Sequence, residues 1–412
     1  MLISIAWRNL WRNKLRSAVI FMSIAIGIIG AVVSDGFMSG MTDQRANSAI
    51  ANEVSNIQIH NPEYLLNEEI KYIIPNSGEI VKKISSLPEV KGVSLRLKIN
   101  SMAASADAGA GINLYGVNII DERKVSALHN HMISGKYLEN DQKLPVVIGQ
   151  KLSDKLNLGL DDKLIVTLTD TTGTITSGAF NIVGIYRTSD DNFDATHVYV
   201  KRGDASKLVG YSDNVGDEIA VLLTSNDLTN AVTKKLNTMF APEVQKKELI
   251  IQSWDQIQPL IKSMIDMMNY FSYLFLIIIL GALAFAIINT MLMSVMERTR
   301  EFGMLMALGM NKRKVFNMIL TETVFLSVVG AIFGLVISIL IGHYFARHGF
   351  DLSSVASGMN YLGFSSRVFF RVNNQFYVMS IIMVVIVALI SGISPALKAL
   401  KLQPATALRE NN

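Results

Sequence analysis

Four long apolar runs divide the chain. The first, from Ser17 to Ser34, lies between Arg16 and Asp35 and recruits Gly36 to Met41. The second, from Met267 to Met296, carries no charge and opens on Tyr270, Phe271 and Tyr273, an aromatic set suited to a membrane–water interface. The third, Val315 to Ala346, is interrupted only by Glu322; the fourth, Val372 to Leu397, is uncharged and has Pro395 near its end. A membrane-crossing helix needs about 20 mainly apolar residues. The pattern therefore predicts spans at 17–41, 267–296, 315–346 and 372–397. A cleaved signal peptide is a poor reading of the first run: it lacks a well-placed small-residue cleavage site, and three more spans follow.

Between spans one and two the pattern changes period. Short β-rich runs recur at Ser55–His60, Gly111–Val117, Pro145–Ile148, Lys163–Leu168, Phe180–Tyr186, His197–Lys201 and Glu218–Leu223. Helical patterns separate them at Gly78–Ser86, Gln150–Leu156 and Asp227–Phe240, the last with Leu228, Val232, Leu236 and Phe240 at four-residue spacing. Residues 42–265 thus read as a folded α+β domain, with Trp254–Asp266 continuing helically into span two. Thr169–Ala179 is rich in Thr and Gly between two strands and predicts a hairpin tip at Thr171, Thr172, Gly173 and Thr174. The fold class is a four-helix transmembrane protein with a large α+β domain inserted between spans 1 and 2.

Charge adds an orientation. Residues 1–16, 297–314 and 398–412 together carry a net +9, whereas residues 41–266 carry a net −5. Basic residues mark the cytoplasmic side of short membrane-flanking segments. Both termini and the middle loop are therefore expected in the cytoplasm, with the insert and the 347–371 loop outside. Composition narrows the chemistry further. Only 17% of residues are charged and half are hydrophobic, which argues against disordered or nucleic-acid-binding tails. Cysteine is absent, which removes disulfides, thiolate metal sites and cysteine nucleophiles together.

Catalytic patterns are missing as well. There is no G-x-x-x-x-G-K-[ST] to cradle ATP phosphates, no G-x-S-x-G and no H-E-x-x-H. His129 and His131 share a strand face without an obvious third ligand, so a solvated turn is the better reading and no metal is expected. The Asp35-Gly36 pair reads as a turn or helix end. The chain is expected to be no enzyme.

The membrane-proximal segments say more. In Met1–Arg16 the stripe Arg8, Arg12, Arg16 opposes Ile3, Trp7, Leu10 and Trp11, the pattern of an amphipathic helix in the headgroup layer. Met296–Lys314 mixes charged and apolar residues, and its Gly303 and Gly309 allow turns or close packing. A solvated loop is the plainer alternative there. Ser394–Arg409 is a short helix-like tail broken by Pro404.

Glu297-Arg298-Thr299-Arg300-Glu301-Phe302-Gly303, continuing through Ala307-Leu308-Gly309, resembles the coupling-helix signature of FtsX/MacB-like (type VII) ABC transporter permeases. The Trp-Arg-Asn-Leu-Trp-Arg-Asn-Lys start and the Pro395-Ala396, Pro404-Ala405, Ala407-Leu408-Arg409 tail are similar to the same family. So are Ser134–Leu138, Val146–Gly149, Leu156–Gly159 and Phe180–Tyr186 within the insert. Asn56–His60 and Gly116–Asn118 look most like the lipoprotein-releasing (Lol-type) branch. The resemblance implies that two permeases pair and two separate ATPase subunits, holding ATP and Mg, dock beneath the coupling helices. No cofactor is then bound by this chain. Glu297, Arg298, Arg300, Glu301, Gly303, Ala307 and Gly309 would carry the ATPase coupling. In the Lol-type branch a lipoprotein enters sideways from the outer leaflet and is lifted to a periplasmic chaperone held by a hairpin. Here that hairpin is short and lacks Pro, a departure from the branch. Candidate cargo-cavity residues are Ile28, Val32 and Phe37 on span one and Met264, Met267, Met268 and Phe271 at the entrance to span two, the methionines supplying adaptable apolar surface. The alternative is an FtsX-like mechanotransmission protein that switches a cell-wall hydrolase without moving cargo.

Overall fold

The computed structural model describes residues 14–139, 142–211 and 215–401. The chain forms two compact units, one of Met1–Asp43, Asp266–Asp351 and Arg367–Asn412, the other of Gln44–Ile265 and Leu352–Ser366. The expected headgroup helix and the end of the tail lie outside the described residues.

Helix α1 (Lys14–Ser48) contains the first apolar run and continues well past it. Asp35-Gly36 is therefore no turn: it sits inside the helix, and Gly36 and Gly40 are where α1 meets the Phe369–Val372 segment.

The inserted domain is built on ten strands: β1 (Ile57–His60), β2 (Val90–Ala104), β3 (Gly109–Val117), β4 (Met132–Gly135), β5 (Pro145–Gly149), β6 (Lys163–Thr169), β7 (Ile175–Tyr186), β8 (His197–Lys201), β9 (Glu218–Leu223) and β10 (Ile250–Ser253). The strand order is β10-β1-β9-β2-β3-β8-β5-β7-β4, and β6 pairs with both β7 and β2. The second of those pairings closes a ring: β2, β3, β8, β5, β7 and β6 form a small barrel, sealed by Met102↔Thr167 and Ala103↔Val166. Alternate residues fill it, as the two-residue period of a strand requires: Leu97 and Ile99 on β2, Ile112 and Leu114 on β3, Phe180 and Ile182 on β7. The other half is an open sheet, β10-β1-β9 and the first part of β2. Its Val93, Ile219 and Ile251 are covered by helices α2 (Ser77–Ser85) and α6 (Thr229–Met239) through Ile84, Val232 and Leu236. The labels α3 (Ile119–Val125), α4 (Gln150–Leu156) and α5 (Arg202–Val209) belong to helices flanking the barrel half. The fifteen-residue β2 runs through both halves with one apolar face, Val93, Leu95, Leu97 and Ile99.

On the other face of β2, Arg96 is almost fully buried. Its guanidinium donates to both carboxylate oxygens of Glu122 at 3.0 and 2.7 Å and to Glu218 at 2.7 Å. A charge taken out of water this completely is tolerated only when its donors are matched. At the start of the domain Arg45 bridges Glu53 and Asp190, each at 3.0 Å. Gly363 of the Leu352–Ser366 segment lies over this pair at φ +74°. The middle of the 347–371 region is therefore packed with the inserted domain and is not an independent loop.

Trp254–Asp266 is not one helix. Helix α7 (Trp254–Ile257) starts from a Ser253/Gln256 capping box and stops at Gln258; α8 (Pro259–Glu297) begins afresh with a proline in its first position, where the missing N–H costs nothing. Three more helices complete the membrane unit: α9 (Thr299–Ala307), α10 (Lys312–His348) and α11 (Asn374–Lys401). Among the described residues, four helices are long and apolar enough to cross a membrane. Gly330 and Gly334 let α10 approach α1 at backbone distance. A Cβ at Gly334 would lie 2.7 Å from the carbonyl oxygen of Ala25, and one at Gly330 would lie 3.0 Å from that of Phe21. Small residues four apart serve such close crossings between membrane helices.

Candidate functional site: the coupling segment and a cavity among the spans

Residues 297–314 fold as one short helix between two long ones. Helix α9 ends in a Schellman turn: the Met310 N–H donates to the Leu305 carbonyl at 3.0 Å and the Gly309 N–H to that of Met306 at 3.1 Å. Gly309 adopts φ +92°, which a side chain would resist, so its place in the motif is conformational. Asn311 then caps α10, accepting from the Arg313 N–H at 3.1 Å.

The faces of α9 differ. Phe302 and Gly303 are buried, and Phe302 packs with Val315 and Met318. Glu297, Arg300, Met304, Ala307 and Leu308 are exposed, Leu308 to 86%. Arg298 turns inward. Its Nε donates to Glu301 at 3.0 Å, its Nη1 to Glu322 at 3.0 Å, and its guanidinium lies over the Phe302 ring at 5.2 Å. Glu322, the lone charge in span three, thus receives the arginine of the coupling segment. The residues expected to carry the coupling thus divide by face. Arg298 and Glu301 form a clamp onto α10, while Arg300, Ala307 and the unexpected pair Met304 and Leu308 make the outward face.

At the other end of the helices, the end that carries the insert in sequence, lies a cavity of about 740 Å³ between α1, α8 and α11. Asp35, Asp266, Asn269, Asn373 and Gln375 line it toward that end, and Leu276, Leu280, Phe376, Met379 and Met383 line it further along the helices. The Ser272 hydroxyl donates to Asp35 at 3.0 Å. None of the seven cavity residues expected from sequence lines it. Ile28 and Val32 are buried in the packed core of the helices. Phe37 is half-buried against Phe350 and Phe370. Met264, Met267, Met268 and Phe271 lie on another side of α8, with Met267 and Phe271 exposed. The cause is helical phase: the lining follows Asp266, Asn269, Tyr273, Leu276 and Leu280, one position off the expected stripe.

In the inserted domain the hairpin is present, but its tip is five residues long, Asp170 to Thr174, because β7 begins at Ile175. Asp170 accepts from the Thr172 hydroxyl at 2.7 Å and from the Thr174 and Thr172 N–H groups, which holds its carboxyl below the usual range. Thr171 Oγ1 donates to the Val209 carbonyl at 3.2 Å and ties the tip to α5; Thr172, Gly173 and Thr174 are exposed. His129 Nδ1 lies 3.1 Å from the Ser126 carbonyl oxygen, next to the turn Leu128–Asn130.

Residues 17–239 match the family described as MacB-like periplasmic core domain, and residues 273–404 match FtsX-like permease C-terminal. The chain belongs to the FtsX/MacB-like family of ABC transporter permeases. Among its relatives, it is 24% identical to the pyoverdine export ATP-binding/permease protein PvdT of Pseudomonas fluorescens, over 98% of this chain and 59% of that protein. The lipoprotein-releasing system transmembrane protein LolC of Neisseria meningitidis is 24% identical, with 97% and 95% covered. The uncharacterized permease YvrN of Bacillus subtilis is 26% identical, with 99% and 98% covered. The chain thus spans about three fifths of the length of the first curated relative it matches. The periplasmic region of MacB from Actinobacillus actinomycetemcomitans overlaps 50% of this chain and 92% of its own, at 14% identity and a TM-score of 0.34. Overlap at that level decides nothing about the fold.

Proposed function

We infer that the chain is the permease subunit of an ABC transporter that extracts lipoproteins from the outer leaflet of the bacterial inner membrane for release toward the outer membrane. ATP and Mg are held by two separate ATPase subunits, and a second permease, identical or related, completes the membrane part. Both termini face the cytoplasm and the inserted domain the periplasm, where a chaperone receives the cargo. The reading rests most on the extent of the match to the lipoprotein-releasing LolC, which runs through 97% of this chain and 95% of that one. The exposed Met304, Ala307 and Leu308 support docking of an ATPase at α9, since an apolar ridge on a short charged segment is unfavourable in water unless covered.

The test uses the absence of native cysteine and site-specific photo-crosslinkers. A cysteine at the exposed Thr172 should react with an impermeant maleimide in outer-membrane-permeabilised cells, and one at Leu308 should react only after the inner membrane is opened. Crosslinkers at Phe271 and Tyr273 sample the outer side of α8 and the cavity. One of them should capture a lipoprotein before ATP is added and lose it afterwards. Capture of a wall hydrolase or of an efflux partner, with lipoproteins correctly sorted in a depletion strain, would instead assign the protein to mechanical signalling or to export.

A further inference from the structure

Asp35, just past the uncharged run Ser17–Ser34 of α1, is 8% exposed, and its carboxylate accepts from the Ser272 hydroxyl. Among the described residues no arginine, lysine or histidine forms an ion pair with it, in contrast to Arg96, Arg45 and Arg298, whose carboxylate partners are all in place. An ionisable group held inside a membrane helix bundle marks a ligand or ion site when it faces a cavity. This one does. The cavity holds about 740 Å³, inside the ~300–1,000 Å³ usual for small-molecule sites.

The lining has a direction. On α8 it passes from Asp266 and Asn269 to Leu276 and Leu280, and on α11 from Asn373 and Gln375 to Met379 and Met383. At 1.5 Å per residue the first passage covers about 21 Å and the second about 15 Å. A ligand that satisfies such a site carries hydrogen-bond donors and positive charge at one end and hydrocarbon at the other. A carboxylate or phosphate head placed alone beside Asp35 would add a like charge where water is scarce.

We propose that this cavity binds an amphiphile through a primary ammonium group, with the ammonium against Asp35 and the hydrocarbon tail along Leu280, Phe376, Met379 and Met383. The ligand is either an aminophospholipid of the surrounding membrane or a lipopeptide with a free N-terminal amine, two sources of the same chemistry.

The test uses the purified full-length protein in nanodiscs of phosphatidylcholine and phosphatidylglycerol. Two diazirine probes with the same long alkyl chain are compared, one ending in a primary amine and one in an alcohol, and labelled peptides are read by mass spectrometry. The amine probe should label the 273–283 and 376–386 segments about tenfold more than the alcohol, as a charge-assisted hydrogen bond in a dry site implies. Asp35→Asn should remove that preference and leave alcohol labelling unchanged. Met379→Trp, which fills the apolar part, should remove labelling by both probes; it also serves if the Asp35 variant does not fold. Competition by phosphatidylethanolamine identifies the source as a lipid headgroup, and competition by a free-amine lipopeptide identifies it as cargo. Equal labelling by the two probes overturns the proposal. So does an amine preference that survives Asp35→Asn, labelling that survives Met379→Trp, or failure of both competitors.

Discussion

In the inserted domain the two buried arginines each have two carboxylates. Arg96 is held by Glu122 and Glu218, and Arg45 by Glu53 and Asp190. In the membrane unit buried charge is sparse. Arg298 reaches Glu322 on α10, and Asp35 on α1 is left with a serine of α8. The domain uses charge to fix strands and helices against one another. The membrane unit uses it sparingly, a pattern expected when desolvation makes every buried charge costly.

The largest effect should come from breaking the domain's arrangement. Arg96→Met leaves Glu122 and Glu218 buried without their cation, and should cost about 3–5 kcal/mol of domain stability, read from denaturant unfolding followed by tryptophan emission. Glu322→Gln keeps an acceptor for Arg298 and should cost far less in the same measurement. Equal losses would erase the distinction between the two regions. Next in size is Gly334→Val, which forces a side chain against the α1 backbone and should destabilise the helix packing by about 1–3 kcal/mol in a thermal-shift assay. Gly281→Val, with nothing within 4 Å of its added Cβ, should leave the midpoint unchanged.

The smallest effect concerns pH. Burial, with the charge of Lys98, pushes the His197 imidazole down to about 3, and the ring stacks on Phe193 at 4.1 Å. The unfolded chain takes up that proton first, near pH 6.5. The contribution is therefore intact above about 6.5 and is lost progressively as pH falls toward 3. The stability difference between wild type and His197→Phe should shrink by about 1 kcal/mol between pH 7 and about pH 5.7. A difference that is constant or grows would contradict the burial argument.

Much of the domain was legible from period alone: seven runs of alternating or β-rich sequence correspond to β1, β3 and β5–β9, and the stripe Leu228, Val232, Leu236 and Phe240 faces the sheet. Strand β2 was not, although Val93, Leu95, Leu97 and Ile99 alternate cleanly. Arg96 and Lys98 on its other face look like solvated charge, and only tertiary partners from α3 and β9 reveal that Arg96 is buried. Gly330 and Gly334, spaced for close packing, were a readable signal in span three that the hydropathy pattern hid. The coupling segment was recognisable as a unit, but its inward and outward residues were not. Arg298 finds its partner 24 residues away on the next helix, and no local pattern encodes that. The lining of the internal cavity was not legible either, because an apolar helix gives no phase until its neighbours are placed.

If Arg298 and Glu322 act as one clamp that positions α9, motion of a docked ATPase reaches span three through it. The direct measurement is permease-stimulated ATPase activity of the co-purifying complex in nanodiscs, compared for wild type, Arg298→Met, Glu322→Gln and the double variant. Each single change should reduce the stimulation, roughly tenfold for the arginine, and the double variant should be no worse than Arg298→Met alone, because residues acting as a unit are non-additive. Losses that multiply in the double variant, or single variants that stimulate like wild type, would contradict it.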